Sequence, residues 1–182
     1  MNRRYCEKIA VFDLDGTLYK DNSHIEILCS YYETNFFKRV PFIALGKISS
    51  KIQLKIMNLM YERIPCEIRE KFILQFSPMV LKILKEKIDK GYFPLILSSA
   101  PFDLIKSAAD CLKIEFYQCV AGKKSDALLQ RFRFNQLFVC TDNRTDLELI
   151  NLADEAVITA KKKHRDFFVK KIKGGNYIFL DI

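Results

Sequence analysis

The 182-residue chain lacks the features that mark several functional classes. No apolar run approaches the roughly 18–20 residues that a membrane span needs. The basic start, "MNRRYCEKIAVFDLD", has its apolar run cut short by Asp13, which argues against a signal peptide. None of the six cysteines (Cys6, Cys29, Cys66, Cys111, Cys119 and Cys140) forms a CxxC pair or a zinc knuckle. Most lie among apolar residues, so reduced, buried thiols in a cytoplasmic protein are expected. The two histidines, His24 and His164, form no metal set. With no zinc finger and no aromatic-interleaved RNA motif, no specific nucleic acid is expected as a partner. "AGKKS" (121–125) shares the end of a P-loop only superficially: Tyr117 stands where a glycine is required, and the Gly-Lys-Ser order is interrupted. No internal repeat or low-complexity tract is present.

What the chain does have is apolar content, 49% of residues, which is too high for disorder and suits one globular domain with a small insertion. Its net charge of +8 has two concentrations. "KKKHR" (161–165) continues into Lys170, Lys171 and Lys173. Lys47, Lys51 and Lys55 recur every four residues, a basic stripe if they share a helix. A solvated face is the plain expectation for both, and attraction to an anion is the alternative.

Apolar runs alternate with helical patterns. Strands are expected at 8–12, 93–98, 116–120, 137–141, 155–159 and 176–180. Helices are expected at 79–90, 102–112, 125–132, 145–153 and 165–172. This alternation implies an α/β fold, a Rossmann-like parallel sheet covered on both faces. Between Ser23 and about Phe76 the patterning is helical only, with Ile48, Ile52, Ile56, Leu59 and Met60 at helical spacing and with Pro41 and Pro65 dividing the stretch into about three helices. The expected organisation is a core of residues 1–18 and 86–182, with residues 19–85 as an inserted helical cap.

In open parallel sheets, ligands bind beyond the carboxyl ends of the strands. Asp13 and Asp15 follow the first strand, Ser98 and Ser99 the second, Lys123 and Lys124 the third, and Asp142 and Asp146 the fourth. Acids, hydroxyls and a base at neighbouring strand ends suit phosphoryl transfer. A carboxylate approaches a phosphate dianion only when a divalent cation neutralises both. Asp13 and Asp142 are placed to hold Mg2+ from opposite sides, with Asp146 on a metal-bound water. One aspartate can attack phosphorus, while a second protonates the leaving oxygen and then activates water. Ser98 can hydrogen-bond a phosphate oxygen, a lysine can offset charge, and Gly16 lets backbone amides turn toward the phosphate.

These residues carry a family resemblance. "VFDLDGTL" (11–18) resembles motif I, DxDG[TV], of the haloacid dehalogenase (HAD) superfamily. "LILSSAP" (95–101), "KKSDALL" (123–129) and "VCTDNRTDLEL" (139–149) resemble motifs II, III and IV, all in family order over nearly the whole chain. The resemblance implies Asp13 as nucleophile and Asp15 as general acid/base. It implies Gly16, Ser98, Ser99 and Lys124 around the phosphate, and Asp13, Asp15 (through its carbonyl), Asp142 and Asp146 around Mg2+. Lys124 is preferred to Lys123 because Leu128 then takes the apolar position of the next helix. The helical insertion is similar to the C1 cap of the phosphoserine phosphatase-like branch.

The departures narrow the substrate. Asn22 stands where phosphoserine phosphatases carry a substrate-reading Glu, and Thr141 replaces a Gly, with a modest change in loop geometry expected. The "TDNRTDL" segment and the basic, apolar cap resemble HAD domains attached to membrane prenyltransferases, which suggests a lipid- or isoprenoid-linked phosphate. A Mg2+-dependent phosphatase of a small phosphorylated metabolite is the reading adopted. A phosphotransferase or phosphomutase shares its first half-reaction. A dehalogenase proper would lack the second acid of motif I. The non-enzyme alternative is a basic adaptor that touches a membrane surface or a protein.

Overall fold

The computed structural model describes residues 3–181. In chain order the elements are β1 (Arg4–Tyr5), β2 (Lys8–Phe12), α1 (Ser23–Tyr31), α2 (Val40–Ile48), α3 (Ser50–Glu62), α4 (Cys66–Arg69), α5 (Pro78–Asp89), β3 (Phe93–Ser98), α6 (Phe102–Leu112), β4 (Glu115–Gln118), α7 (Lys124–Arg131), β5 (Phe132–Arg133), β6 (Gln136–Thr141), α8 (Leu147–Leu152), β7 (Glu155–Ile158), α9 (Lys162–Lys171) and β8 (Asn176–Phe179).

Among the described residues, six parallel strands form one sheet in the order β4-β3-β2-β6-β7-β8. The alternation of side chains along a strand explains its layers. Ile9 and Val11 of β2, with Leu95, Leu97, Leu137 and Val139, face α7, α8 and α9 through Leu128, Leu149, Ile150 and Phe168. Ala10 and Phe12, with Ile96, Phe138 and Cys140, face α5 and α6 through Val80, Leu84, Ile105 and Ala108. The expected doubly covered parallel sheet is present. A second parallel pair, β1 with β5, was not expected, since two-residue strands carry no readable periodicity.

The central strand sets the position of the acids. Phe12 is level with Ile96 of β3 and Cys140 of β6. The next residue, Asp13, therefore leaves the sheet level with Leu97 and Thr141, one residue short of Ser98 and Asp142, and its N–H donates to the Cys140 carbonyl at 2.9 Å.

The chain then passes through Leu18 and Tyr19 into the helical layer. It returns beside them, with the Ser77 N–H on the Leu18 carbonyl at 2.8 Å and the Tyr19 and Phe76 rings stacked 4.9 Å apart. The layer has a core of its own, built on Ile27, Leu28, Phe37, Phe42, Met57, Tyr61 and Ile64, and it reaches the sheet domain through Leu104 of α6.

Two details differ from expectation. Pro41 does begin a helix, but a further break falls at Ser49, whose side chain accepts the Ile52 N–H and caps α3. Lys47 therefore sits on a different helix from Lys51 and Lys55. The apolar spacing splits as well: Ile48 and Ile52 are exposed, while Met57 and Tyr61 supply the buried face. The second detail is α5, which crosses the boundary expected at residue 85. Val80 and Leu84 pack against the sheet, so the helical layer ends before this helix. All six cysteines are free thiols, but against expectation only Cys29 and Cys140 are buried, while Cys66 and Cys111 sit on exposed helix surfaces.

Candidate active site

The carboxyl edge of the sheet gathers four acids around one lysine. The Lys124 Nζ lies 2.8 Å from Asp13 Oδ2 and 2.6 Å from Asp146 Oδ2. All three side chains are buried. Burial works against the charge of Lys124, but the two carboxylates outweigh it and hold the ammonium above the ordinary lysine value. Lys123 points elsewhere and sits 3.5 Å from Asp126 on the exposed side of α7. The second oxygen of Asp13, Oδ1, accepts the Leu14 N–H at 2.8 Å.

Asp15 is held differently. Its Oδ1 accepts the Ser23 N–H from the first turn of α1 at 2.8 Å. Burial pushes its carboxyl up to about 6, against the opposing pull of the Ser23 hydrogen bond. Asp142 is pushed up to about 7, first by burial and then by the charge of Asp13. Asp146 is raised as well, by burial above all, with Lys124 opposing. Gly16 makes the approach of Asp142 possible. Its φ is +72°, and a Cβ there would fall 2.3 Å from Asp142 Oδ2. Glycine is needed both for the turn and for the space.

Ser98 ends β3 and is buried. Its Oγ accepts the Ala100 N–H at 3.2 Å, which leaves the hydroxyl proton free to donate. Ser99 is exposed and lines two cavities, one over the acids and one toward the helical layer. The cavity over the acids measures about 400 Å3 and takes in Asp13, Asp15, Gly16, Ser98, Ser99 and Asp142. Lys20, Asp21, Asn22, Asn143 and Lys161 complete it. Asn22 is occupied as the cap of α1, its Oδ1 accepting the Ile25 N–H at 3.0 Å.

Two threonines add to the site. Thr141, which in the sequence stands only as a replaced glycine, is buried, and its hydroxyl donates to Asp146 Oδ2 at 2.7 Å while accepting the Asn143 N–H at 3.1 Å. Thr159 donates to the Gly16 carbonyl at 2.8 Å and so fixes the turn that follows the acids. Its position just past β7 was the available signal, because strand ends carry this site. The helix expected from residue 145 begins instead as a 3-10 turn, Arg144–Asp146, capped by Asn143 Oδ1 on the Thr145 N–H at 3.1 Å. That turn carries Asp146 inward to Lys124.

His24 stands apart from these groups. It is buried edge-on against Tyr61, with ring centroids 5.1 Å apart, and burial lowers its pKa to about 4, so it is neutral. It lines a cavity of about 420 Å3 between the helical layer and the sheet domain. There the Arg69 guanidinium is paired with Asp103 at 3.2 Å.

The donor set can be tested against a divalent ion. Among the described residues, no three Asp, Glu, His or Cys side chains converge as a ready-made metal cage. Mg2+ does not require one, because it is held by one or two carboxylates and keeps several waters. Of the four acids only Asp13 and Asp146 are paired with Lys124, and Asp146 Oδ1 is buried without a hydrogen-bond partner. Both observations fit a cation at this edge.

No protein-family model and no curated protein matches the sequence. Solved structures do match the fold. A protein of unknown function from Bordetella pertussis Tohama I superposes with a TM-score of 0.70 at 10% identity, over 95% of this chain and 98% of that one. A HAD family hydrolase from Salmonella enterica serovar Typhi gives 0.62 at 16% identity, over 95% and 67%. A phosphoserine phosphatase, described as a phospho-aspartyl intermediate analogue, gives 0.63 at 17% identity, over 97% and 94%. Each superposition covers at least 95% of this chain, and the chain has the fold of the HAD family hydrolases.

Proposed function

We propose that the protein is a Mg2+-dependent phosphomonoester hydrolase of the HAD superfamily. The observation that carries this reading is the Asp13–Lys124–Asp146 cluster at the sheet edge, with Asp15 two residues beyond Asp13 and anchored on α1. Asp13, the Asp15 carbonyl and Asp142 would hold the metal, with Asp146 behind them. When bound, Mg2+ supplies positive charge that lets a carboxylate approach a phosphate dianion.

The chain's own residues then divide the work. An Asp13 oxygen attacks phosphorus, and the bond from phosphorus to the substrate oxygen breaks. Asp15 gives its proton to that departing oxygen. A carboxyl held near 6 carries a useful protonated fraction close to neutrality. In the second half, Asp15 takes a proton from water as the water oxygen attacks the aspartyl phosphate. Asp13 is regenerated and inorganic phosphate leaves. Lys124 holds Asp13 in position, and the Ser98 hydroxyl donates to a phosphate oxygen. A phosphotransferase or phosphomutase would follow the same first half with a second substrate in place of water.

The helical layer from α1 to α4 is proposed as a C1-type cap over this cavity. Its outer surface supports a peripheral membrane contact and a lipid- or isoprenoid-linked phosphate. Val40, Ile43, Ile48 and Ile52 are exposed on α2 and α3, alongside exposed Lys47, Lys51 and Lys55. Among the described residues, no helix is long and apolar enough to cross a membrane.

The deciding experiment is a phosphate-release screen with Mg2+ over sugar phosphates, phosphoamino acids, nucleotides and isoprenoid phosphates, with Asp13→Asn as the blank. Release by the wild type alone supports the reading. No release from any class, or equal release by the variant, contradicts it.

A further inference from the structure

A second cavity, of about 510 Å3, adjoins the one over the acids, and Gly16, Lys20, Asp142, Asn143 and Lys161 line both. Its far wall is basic. Arg144, Lys163 and His164 meet there, and Lys20 and Lys161 stand at the junction.

Three observations bear on what this wall could hold. First, four cations, Lys20, Arg144, Lys161 and Lys163, line one cavity beside the acids, and among the described residues none of them forms an ion pair with a carboxylate. The cavity's own acids are engaged elsewhere: Asp181 is paired with Arg165, and Asp142 belongs to the acid cluster. Second, Arg144 is fixed in place. Its guanidinium sits 4.9 Å from the Phe167 ring centroid, and its Nη2 lies 2.8 Å from His164 Nδ1. Third, Lys161 stands at the N-cap position of α9 with no side-chain capping bond, and Lys162, Lys163 and His164 open the helix, with no acid in the first turn. Cations are mildly unfavourable at the positive end of a helix and beside one another, so an anion seated between them would relieve both repulsions. By contrast, Lys170 and Lys171 lie at the carboxyl end of α9, where the helix itself favours positive charge.

We infer that this cavity seats a second phosphate, so that the substrate is a phosphomonoester carrying a further phosphate group. This rests on the phosphatase reading for which phosphate is cleaved, and it adds what anchors the rest of the molecule. The phosphate over Asp13 is the one hydrolysed. The second binds Arg144 and Lys163 by charge-assisted hydrogen bonds, reached past Lys20 and Lys161.

The test compares a hexose bisphosphate with the hexose monophosphate at constant free Mg2+, in the wild type and in an Arg144→Gln/Lys163→Gln variant. Both replaced side chains are exposed, and Lys163→Gln alone serves as a milder version. The wild type is expected to prefer the bisphosphate by about tenfold or more in kcat/KM, a preference that falls toward parity in the variant. Equal kcat/KM for the two compounds in the wild type, or the same preference in wild type and variant, overturns the inference while leaving a phosphatase. Calorimetric binding of both compounds to Asp13→Asn, with and without the two Gln substitutions, separates the two readings. A binding preference lost with the substitutions, but with no turnover by the wild type, supports the anion seat and defeats the phosphatase. No binding preference overturns the seat.

Discussion

The carboxyl edge of the sheet and the helical layer solve different problems with the same kinds of residue. At the edge, charge is buried and reciprocally held: Lys124 between Asp13 and Asp146, Asp15 on the Ser23 N–H, Asp142 against Gly16. In the layer, charge is turned outward, and Lys47, Lys51 and Lys55 surround exposed isoleucines over a separate apolar core. The edge is thus over-determined, because moving one group unbalances several others. The layer is held mainly by its apolar packing, with a few local polar bonds such as Tyr32 Oη on the Met60 carbonyl, and leaves its outer face free to vary. A catalytic centre belongs in the first setting and a specificity or docking surface in the second.

Substitutions should separate the two regions. The largest structural effect is expected for Lys124→Met, which strands two buried carboxylates. Breaking such a pair costs about 3–5 kcal/mol, a fall of about 10 °C in Tm for a chain of this size. A melt within a degree or two of wild type would mean that the ammonium is not the counter-charge described. Gly16→Ala comes next. The added Cβ would meet Asp142 Oδ2 at 2.3 Å from a backbone at φ +72°, so Asp142 must move. A displacement of this size is expected to lower kcat about a hundredfold while the fold survives. Unchanged kinetics would remove Asp142 from the centre.

A smaller effect is expected from pH in metal-free protein. Asp15 and Asp142 sit near 6 and 7 when folded, against an ordinary 3.8. The folded chain therefore holds protons that the unfolded chain has released, and stability should fall as pH rises from about 4 through about 7. Thermal melts in chelator across that range check this, and added Mg2+ should help most at the upper end. A rising Tm would contradict the burial of these acids. The smallest effect is expected in the layer. Lys51→Gln/Lys55→Gln should leave Tm within the change of about 0.5 kcal/mol typical of surface sites and turnover of a soluble phosphate unaffected. Sedimentation with anionic vesicles at low salt should nonetheless fall. No sedimentation of the wild type would remove the membrane contact.

The same contrast explains what could be read from the sequence. Every strand of the main sheet was legible: the inner strands β2, β3, β6 and β7 are apolar runs buried on both faces, and the half-buried edge strands β4 and β8 still stand as short apolar and aromatic runs between helical segments. The acids were legible because strand ends are fixed points of this architecture: Asp13 and Asp142 fall where β2 and β6 leave the sheet. Thr141 was not, since a threonine that ends a strand looks like an ordinary β-branched residue until its hydroxyl is seen on Asp146. The break at Ser49 was hidden for another reason. Lysines four apart suggest one continuous helix, whereas a serine cap acts through its backbone angles. Residue 85 falls inside α5, because an amphipathic helix does not announce which neighbour covers its apolar face. "KKKHR" looked like solvated charge, because spacing alone cannot show that its first residues line a cavity beside Asp142.

The central claim is that Asp13 carries the phosphoryl group. Its most direct test is mass spectrometry of the acid-quenched protein after brief exposure to a turned-over phosphate ester and Mg2+, with Asp13→Asn in parallel. The account predicts one added phosphoryl group on the wild-type peptide containing Asp13, lost on treatment with hydroxylamine and absent from the variant. Turnover should fall in the variant by about ten-thousandfold or more, with Tm little changed. A phosphoryl group on any other residue, or Mg2+-dependent turnover retained by the variant, would contradict it.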